Sequence, residues 1–388
     1  MVSYVLIPDI RLQILISFCR AARACSGERL PAEMGTQVRI LVTGNLGYVG
    51  SVLVPHFRDC FPDASIVGYD TGYFAHCLTS LEPVPELALS EQHYGDIREI
   101  PDSVIEGADA IVHLAAISND PIGNRYEEAT AAINYGATER LGRRALELGV
   151  KAFVFASSCS IYGFAEGGPR TEDDELNPLT AYAKSKIASE HALASLGNSG
   201  MTITALRFAT ACGMSKRLRL DLVLNDFVAG ALSTGEITIL SDGTPWRPLI
   251  DVSDMARAIQ WAIERPPDVG GRFLALNIGR EDWNYQVRDL AQAVALEIPD
   301  TRVSVNTRAP ADRRSYRVSF EKFRKLAPAH QPKKTLVDSV HGLHHGLKNF
   351  GFGDPNFREG RFMRLKVIEA QREAGVLDSD LRRKRHER

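Results

Sequence analysis

The sequence predicts an α/β protein, a doubly wound parallel sheet joined to a smaller, discontinuous α/β domain. Three observations predict it. Short, mostly aliphatic and β-branched runs recur at residues 38–43, 65–69, 110–114, 151–156 and 202–208, as strands buried on both faces require. Helical stretches lie between most of them, as crossovers between parallel strands must. Gly44, Gly47 and Gly50 stand between the first run and the first helix.

The bulk composition sets outer limits. A chain of 388 residues fits one large or two modest domains. A hydrophobic content of 44% with 24% charge is that of a soluble globular protein. A formal charge of -2 gives no electrostatic argument for nucleic acid or an anionic membrane. The six cysteines, Cys19, Cys25, Cys60, Cys77, Cys159 and Cys212, show no Cys-x-x-Cys spacing. Neither a zinc ribbon nor a disulfide framework is indicated, and scattered thiols suit a reducing cytoplasm. The apolar run at residues 12–18 is too short to span a bilayer. Residues 1–37 read as an extension outside the fold, with Met34 a candidate start.

The first strand runs into Gly44-Asn45-Leu46-Gly47-Tyr48-Val49-Gly50, and residues 51–58 read as a helix. Glycines there let the backbone turn sharply and approach a pyrophosphate, while the helix N-terminus offers free N–H groups. This is the layout of a Rossmann dinucleotide site. The second strand, residues 65–69, ends in Asp70, which is 20 residues beyond Gly50. A carboxylate at that distance accepts hydrogen bonds from a ribose and repels a 2′-phosphate, so NAD is favoured over NADP. Asp96 and Ile97 come after a third short strand and are candidates for the adenine edge, with a plain turn aspartate as the alternative. The fourth strand leads into Leu114-Ala115-Ala116, whose small alanines admit a ligand against the backbone. His113 is assigned no chemistry. A helix over residues 126–148 carries Asn134, and the fifth strand ends in Ser157-Ser158-Cys159-Ser160-Ile161-Tyr162-Gly163. A helix over residues 181–193 puts Tyr182 and Lys186 on one face. An ammonium beside a phenol favours the phenolate and lowers a pKa that is otherwise about 10.

In this order and spacing, these residues resemble the extended short-chain dehydrogenases/reductases of the nucleotide-sugar epimerase/dehydratase type, over residues 38–326. The resemblance implies that Tyr182 is the catalytic base. It implies that Lys186 lowers the tyrosine pKa and holds the nicotinamide ribose, and that Ser158 bonds the reacting oxygen. Asn134 would support the lysine region through water. The cofactor implied is NAD and the partner a nucleotide-diphosphate sugar, in a homodimer with no nucleic acid or membrane partner. The domains expected are an NAD-binding domain over 38–207, a mainly substrate-binding, interleaved domain over 208–334, and a C-terminal helical tail over 335–388.

The reaction is read from the two residues after Ser158. The family's 4,6-dehydratases carry an Asp and a Glu there, and this chain has Cys159 and Ser160. Neither replaces a carboxylate pair in proton transfer near neutral pH. A 4-epimerase acting through a 4-keto sugar leads. A 4-ketoreductase or dehydrogenase uses the same residues for one half-reaction. A variant dehydratase with Cys159 as an acid facing the sugar is a third reading, against Cys159 as merely a small residue. A non-catalytic NAD-binding protein is the remaining class, although Tyr182 and Lys186 are both kept.

On the sugar side, Asn225 is a candidate for the cleft and Arg247 for a substrate phosphate. The resemblance implies that one of Arg313 and Arg314, with Arg314 taken as the candidate, stands where the family has a second phosphate-binding arginine. The run Lys216-Arg217-Leu218-Arg219 either faces a diphosphate or is a solvated loop. Ser253 reads as the N-cap of a helix over 254–264, and residues 335–350 as a helix covering the substrate domain. His341 and His345 have metal-ligand spacing, but Gly342 and Gly346 weaken the helix and no metal is assigned. Residues 381–388 read as a solvated basic tail.

Overall fold

A computed structural model describes residues 37–79, 83–197, 200–306 and 314–384. The extension expected over residues 1–37, except Gln37, lies outside the described residues, as does Arg313. The main sheet contains β1 (Arg39–Thr43), β2 (Ser65–Asp70), β3 (Glu91–Tyr94), β4 (Ala110–His113), β5 (Ala152–Ser158), β6 (Thr202–Phe208) and β10 (Phe273–Ile278). Their order is β10-β6-β5-β4-β1-β2-β3, and every pairing is parallel. The order reverses between β1 and β4, which leaves a crevice at the C-terminal ends of those strands. All seven residues of β6 are buried, as two covered faces demand. Each buried aliphatic side chain contributes roughly 1.5–3 kcal/mol of transfer free energy.

The first helix, α1 (Gly50–Cys60), starts directly after the glycine loop as expected and packs Leu53, Val54 and Phe57 into the core. The helix expected over 126–148 is broken. After the one-turn α2 (Asp102–Ile105), helices α3 (Asp120–Arg125) and α4 (Glu127–Thr130) precede a π-helical turn, Ala131–Gly136, before α5 (Ala137–Glu147). A π turn carries an extra residue, which changes the face presented by the residues within it. Asn134 lies in that turn. Helix α6 (Ala181–Ala194) starts where Thr180 caps it, accepting from the Ala183 N–H at 3.2 Å.

The smaller domain is built from a three-stranded sheet, β11-β9-β7, and a two-stranded one, β12-β8. The ranges are β7 (Thr210–Cys212), β8 (Glu236–Ile239), β9 (Trp246–Asp251), β11 (Asn284–Gln286) and β12 (Arg302–Val305). Helix α7 (Val223–Thr234) packs beside them with α9 (Val287–Glu297), and α8 (Val252–Glu264) covers the main sheet. The cap of α8 is Asp251, not Ser253. Asp251 has an extended backbone and accepts from the Ser253 N–H at 2.9 Å, while Asp254 accepts from the backbone N–H groups of Lys333 and Lys334. A short side chain two positions earlier reaches the free N–H groups that Ser253 cannot.

After α10 (Glu321–Leu326), helix α11 (Leu336–Asn349) opens with a capping box of Thr335 and Asp338 and packs on α7 and α9, as expected. The basic run near the C-terminus is no solvated tail over the described residues. Leu381 is fully buried, and Arg383 donates to the Thr71 carbonyl at 2.8 Å. No described helix is long and apolar enough to cross a membrane.

Candidate active site

A cleft of about 810 Å³ lies at the C-terminal ends of the strands, between the main sheet and the smaller domain. Gly44, Gly47, Tyr48, Val49 and Gly50 line one end. The backbone there is packed to contact. Gly44 sits at φ +76, and a Cβ on it would come within 2.5 Å of the Ala115 nitrogen. A Cβ on Gly50 would meet the Asn45 backbone at 2.5 Å. Only glycine lets the first loop lie against the loop after β4 while leaving α1 N–H groups open to the cleft. Asn45 and Leu46 are buried beneath this surface, and Leu114, Ala115 and Ala116 complete it.

Asp70 closes the end of β2. It accepts from the Leu46 N–H at 3.1 Å and the Gly72 N–H at 2.7 Å, and burial raises its pKa. Asp96 and Ile97 also line the cleft, but the Asp96 carboxylate is already forked onto Arg98. The residues therefore fit a dinucleotide with a ribose at Asp70.

Ser158, Tyr182 and Lys186, the residues expected to react, lie together at the cleft. Ser158, at the end of β5, hydrogen-bonds the phenol of Tyr182. Lys186 is buried under the cleft, donates to the Ala156 carbonyl at 2.7 Å, and lies 5.5 Å from the centre of the Tyr182 ring. The expected lowering of the tyrosine pKa is not what the protein's own groups produce. Burial pushes Tyr182 up to about 12, with Ser158 and Arg219 opposing it. Burial pushes Lys186 down to about 7, with Glu190 opposing it. Desolvation dominates both shifts because both groups are enclosed.

Asn134 and Asn225 are positioning residues. Asn134 exchanges hydrogen bonds with both backbone groups of Ile117, at 2.8 and 3.0 Å, and donates to Ser185 at 3.0 Å. It ties the β4 loop directly to α6. Asn225 is fully buried and does not reach the cleft. It accepts from the Gly213 N–H at 3.0 Å and donates to the Arg219 carbonyl at 2.9 Å, because the loop before α7 folds over it.

Cys159 does not face the sugar. It is fully buried, its thiol donates to the Arg207 carbonyl at 3.0 Å, and burial raises its pKa well above the usual range. The tight turn after β5, Cys159–Tyr162, turns that side chain into the core. Ser160 lines the cleft, and its hydroxyl has no hydrogen-bond partner among the described residues.

Arg247 and Arg314 both line the cleft on the sugar side, and Arg247 donates to the Arg314 carbonyl. The basic run at 216–219 is neither of the expected alternatives as a whole. Arg217 is internal, donating to the Ala75 carbonyl and paired with Glu86, whereas Arg219 lines the cleft and forks onto Asp221. His113 is a satisfied core histidine between Thr43 and Thr138, and burial lowers it to about 3. Among the described residues no cluster could hold a metal.

Several residues escaped the sequence reading. Asp120 lines the cleft, accepting from Thr180 at 2.7 Å and pairing with Arg314 at 2.5 Å. Glu190, four residues after Lys186, forms a buried pair with Arg207 at 2.8 Å and accepts from Ser157 at 2.5 Å. Arg207 also donates to Tyr162 at 3.1 Å. This network clamps the end of β5 to α6, and so holds Ser158 against Tyr182. The four-residue spacing of Glu190 from Lys186 was a usable signal; the partners of Asp120 were not visible locally.

The comparisons with known proteins agree with this geometry. The NAD dependent epimerase/dehydratase family model matches residues 40–279. An uncharacterized UDP-glucose epimerase of Bacillus subtilis is 31% identical over 256 residues, 62% of this chain and 77% of that protein. The UDP-glucose 4-epimerase of Corynebacterium glutamicum is 26% identical over 328 residues, 78% of this chain and 94% of that protein. Curated dTDP-glucose 4,6-dehydratases match as well. Among solved structures, MoeE5 in complex with UDP-glucuronic acid and NAD superposes with a TM-score of 0.67 at 25% identity, covering 80% of this chain and 99% of that one. The chain belongs to the NAD dependent epimerase/dehydratase family and is an NAD-dependent enzyme.

Proposed function

We propose that this family member is a nucleotide-sugar 4-epimerase. The observation that carries the proposal is the make-up of the reacting site. Tyr182, Ser158 and Lys186 are together, while the two positions that a 4,6-dehydratase fills with carboxylates hold a core-facing Cys159 and an uncharged Ser160. The match to a UDP-glucose 4-epimerase over 94% of that protein supports the same reading.

The glycine loop, Asp70 and the Leu114-Ala115-Ala116 backbone hold NAD, with Lys186 towards its nicotinamide end. NAD supplies a hydride acceptor and donor and, when oxidised, a positive charge. Tyr182 takes the proton from the sugar C4 hydroxyl as that carbon becomes a ketone, and returns it after the sugar has presented its other face. Ser158 hydrogen-bonds the same oxygen, its single hydroxyl proton going to the ketone oxygen or to the phenolate but not to both. Arg247 and Arg314 hold the substrate diphosphate, where a guanidinium fork suits two phosphate oxygens.

The test is a panel of UDP- and dTDP-hexoses monitored by NMR. Appearance of the C4 epimer, without added reductant and without net NADH formation, is the expected result. Tyr182→Phe should lose roughly 10²–10⁴-fold in turnover while keeping NAD affinity. A product lighter by one water would make the enzyme a dehydratase, and stoichiometric NADH consumption would make it a reductase.

A further inference from the structure

The C-terminal segment returns from the sugar side to the dinucleotide wall. Residues 364–384, beginning with α12 (Arg364–Glu373), lie along the loop after Asp70. Gln371 donates to the Tyr73 carbonyl at 2.7 Å, and the Tyr73 hydroxyl donates to the Leu381 carbonyl. Arg383 donates to the carbonyls of Thr71 and Gly72 at 2.8 and 3.1 Å. Arg98, the partner of Asp96, donates to the Asp380 carbonyl at 2.8 Å. Ile368, Leu377 and Leu381 share a core with Val67 and Tyr69 of β2. Leu381 adopts φ 60, an uncommon backbone for a leucine, and its burial and hydrogen bond hold it there.

Arg364 is the first residue of this strap and lines the cleft, although only 3% of it is exposed. Its guanidinium stacks over Phe74 at 4.3 Å. Nη2 donates to the Arg217 carbonyl at 2.9 Å, and the Cys77 thiol is beside it. Nη1 has no hydrogen-bond partner among the described residues, and Asp221, a carboxylate that acts on the guanidinium electrostatically, is already forked onto Arg219. A buried guanidinium left in that state is costly unless an anion completes it. Its position selects the anion. Arg364 acts electrostatically on Asp70, and Arg217, which it holds, donates to Ser51 in the first turn of α1 at 3.2 Å. That is the end of the cleft where the glycine loop offers its N–H groups.

We propose that Arg364, carried in by the C-terminal strap, binds the diphosphate of the dinucleotide. This rests on NAD occupying that wall and is independent of the sugar or the reaction. The strap thereby couples the far end of the chain to cofactor binding.

The full-length protein, Arg364→Met and Arg364→Lys are compared by calorimetry with ADP-ribose, adenosine and UDP, alongside their unfolding midpoints. ADP-ribose affinity should fall roughly ten- to a hundredfold in the Met variant. It should fall less in the Lys variant, which keeps a charge over Phe74 and separates ligand contact from folding. Adenosine and UDP should stay within about twofold, since neither engages a phosphate contact at Arg364. Unchanged ADP-ribose affinity overturns the proposal. An equal loss for adenosine and ADP-ribose makes the residue a structural prop, and a loss confined to UDP assigns it to the sugar nucleotide. Failure of ADP-ribose to bind the unaltered protein removes the dinucleotide assignment itself, and the proposal with it.

Discussion

The two ends of the cleft are built on different principles. The dinucleotide wall is mostly backbone, as the Gly44 loop packs against Ala115 with no room for a Cβ. The opposite wall carries four guanidinium groups, those of Arg219, Arg247, Arg314 and Arg358. Three of these arginines pair with acidic residues, and two of the pairings span large sequence separations: Arg314 with Asp120, and Arg358 with Asp226 at 2.8 Å. A backbone wall tolerates almost no substitution, because its shape and its hydrogen bonds are the same atoms. An arginine wall can be retuned residue by residue.

The comparison can be broken most sharply at Gly44. Gly44→Ala should destabilise the protein by about 3–5 kcal/mol, adding left-handed strain to a backbone clash. Thermal unfolding measures it, and a soluble variant with unchanged midpoint and NAD affinity would show that the wall is adaptable. Next comes the seam between the walls. Glu190→Gln should cost about 3 kcal/mol in urea unfolding by leaving Arg207 buried without its counter-charge. It should also lower turnover by loosening Ser158 against Tyr182.

A pH-dependent effect separates chemistry from stability. Folding favours neutral Lys186, whose pKa falls to about 7 in the native state, whereas the unfolded chain holds that proton up to about 10.5. The unfolded state therefore binds more protons between these values, and this group's contribution to stability rises with pH across that window. Lys186→Met should remove that contribution, with a slope of at most about 1.4 kcal/mol per pH unit. Unfolding midpoints of both proteins from pH 7 to pH 10 should converge as the pH rises, the variant being the more stable at pH 7. The smallest stability effect is expected at Arg314→Ala, under about 1 kcal/mol, because its pair with Asp120 is partly exposed. UDP-sugar affinity should fall in that variant while NAD affinity holds, and the reverse pattern would merge the two walls into one.

The glycine loop, Asp70 and the Tyr182–Lys186 pair were legible because each is a short-range pattern. Strand period, glycine spacing and a four-residue helical step are enforced by local sterics, and they determined the parallel sheet and the position of its site. The direction of Cys159 was not legible, since it comes from a tight turn whose facing is set by Arg207 on the neighbouring strand. The break at Asn134 was equally hidden: a helix and a π turn share one hydrophobic pattern until their neighbours choose between them. Asp120 reached Arg314, and Arg364 reached Phe74, across long stretches of sequence. The sequence by itself determined the fold and the pair proposed to react, Tyr182 and Lys186. Only the tertiary structure decided which charges surround them, because burial and long-range ion pairing are properties of the packed chain and leave no local period to read.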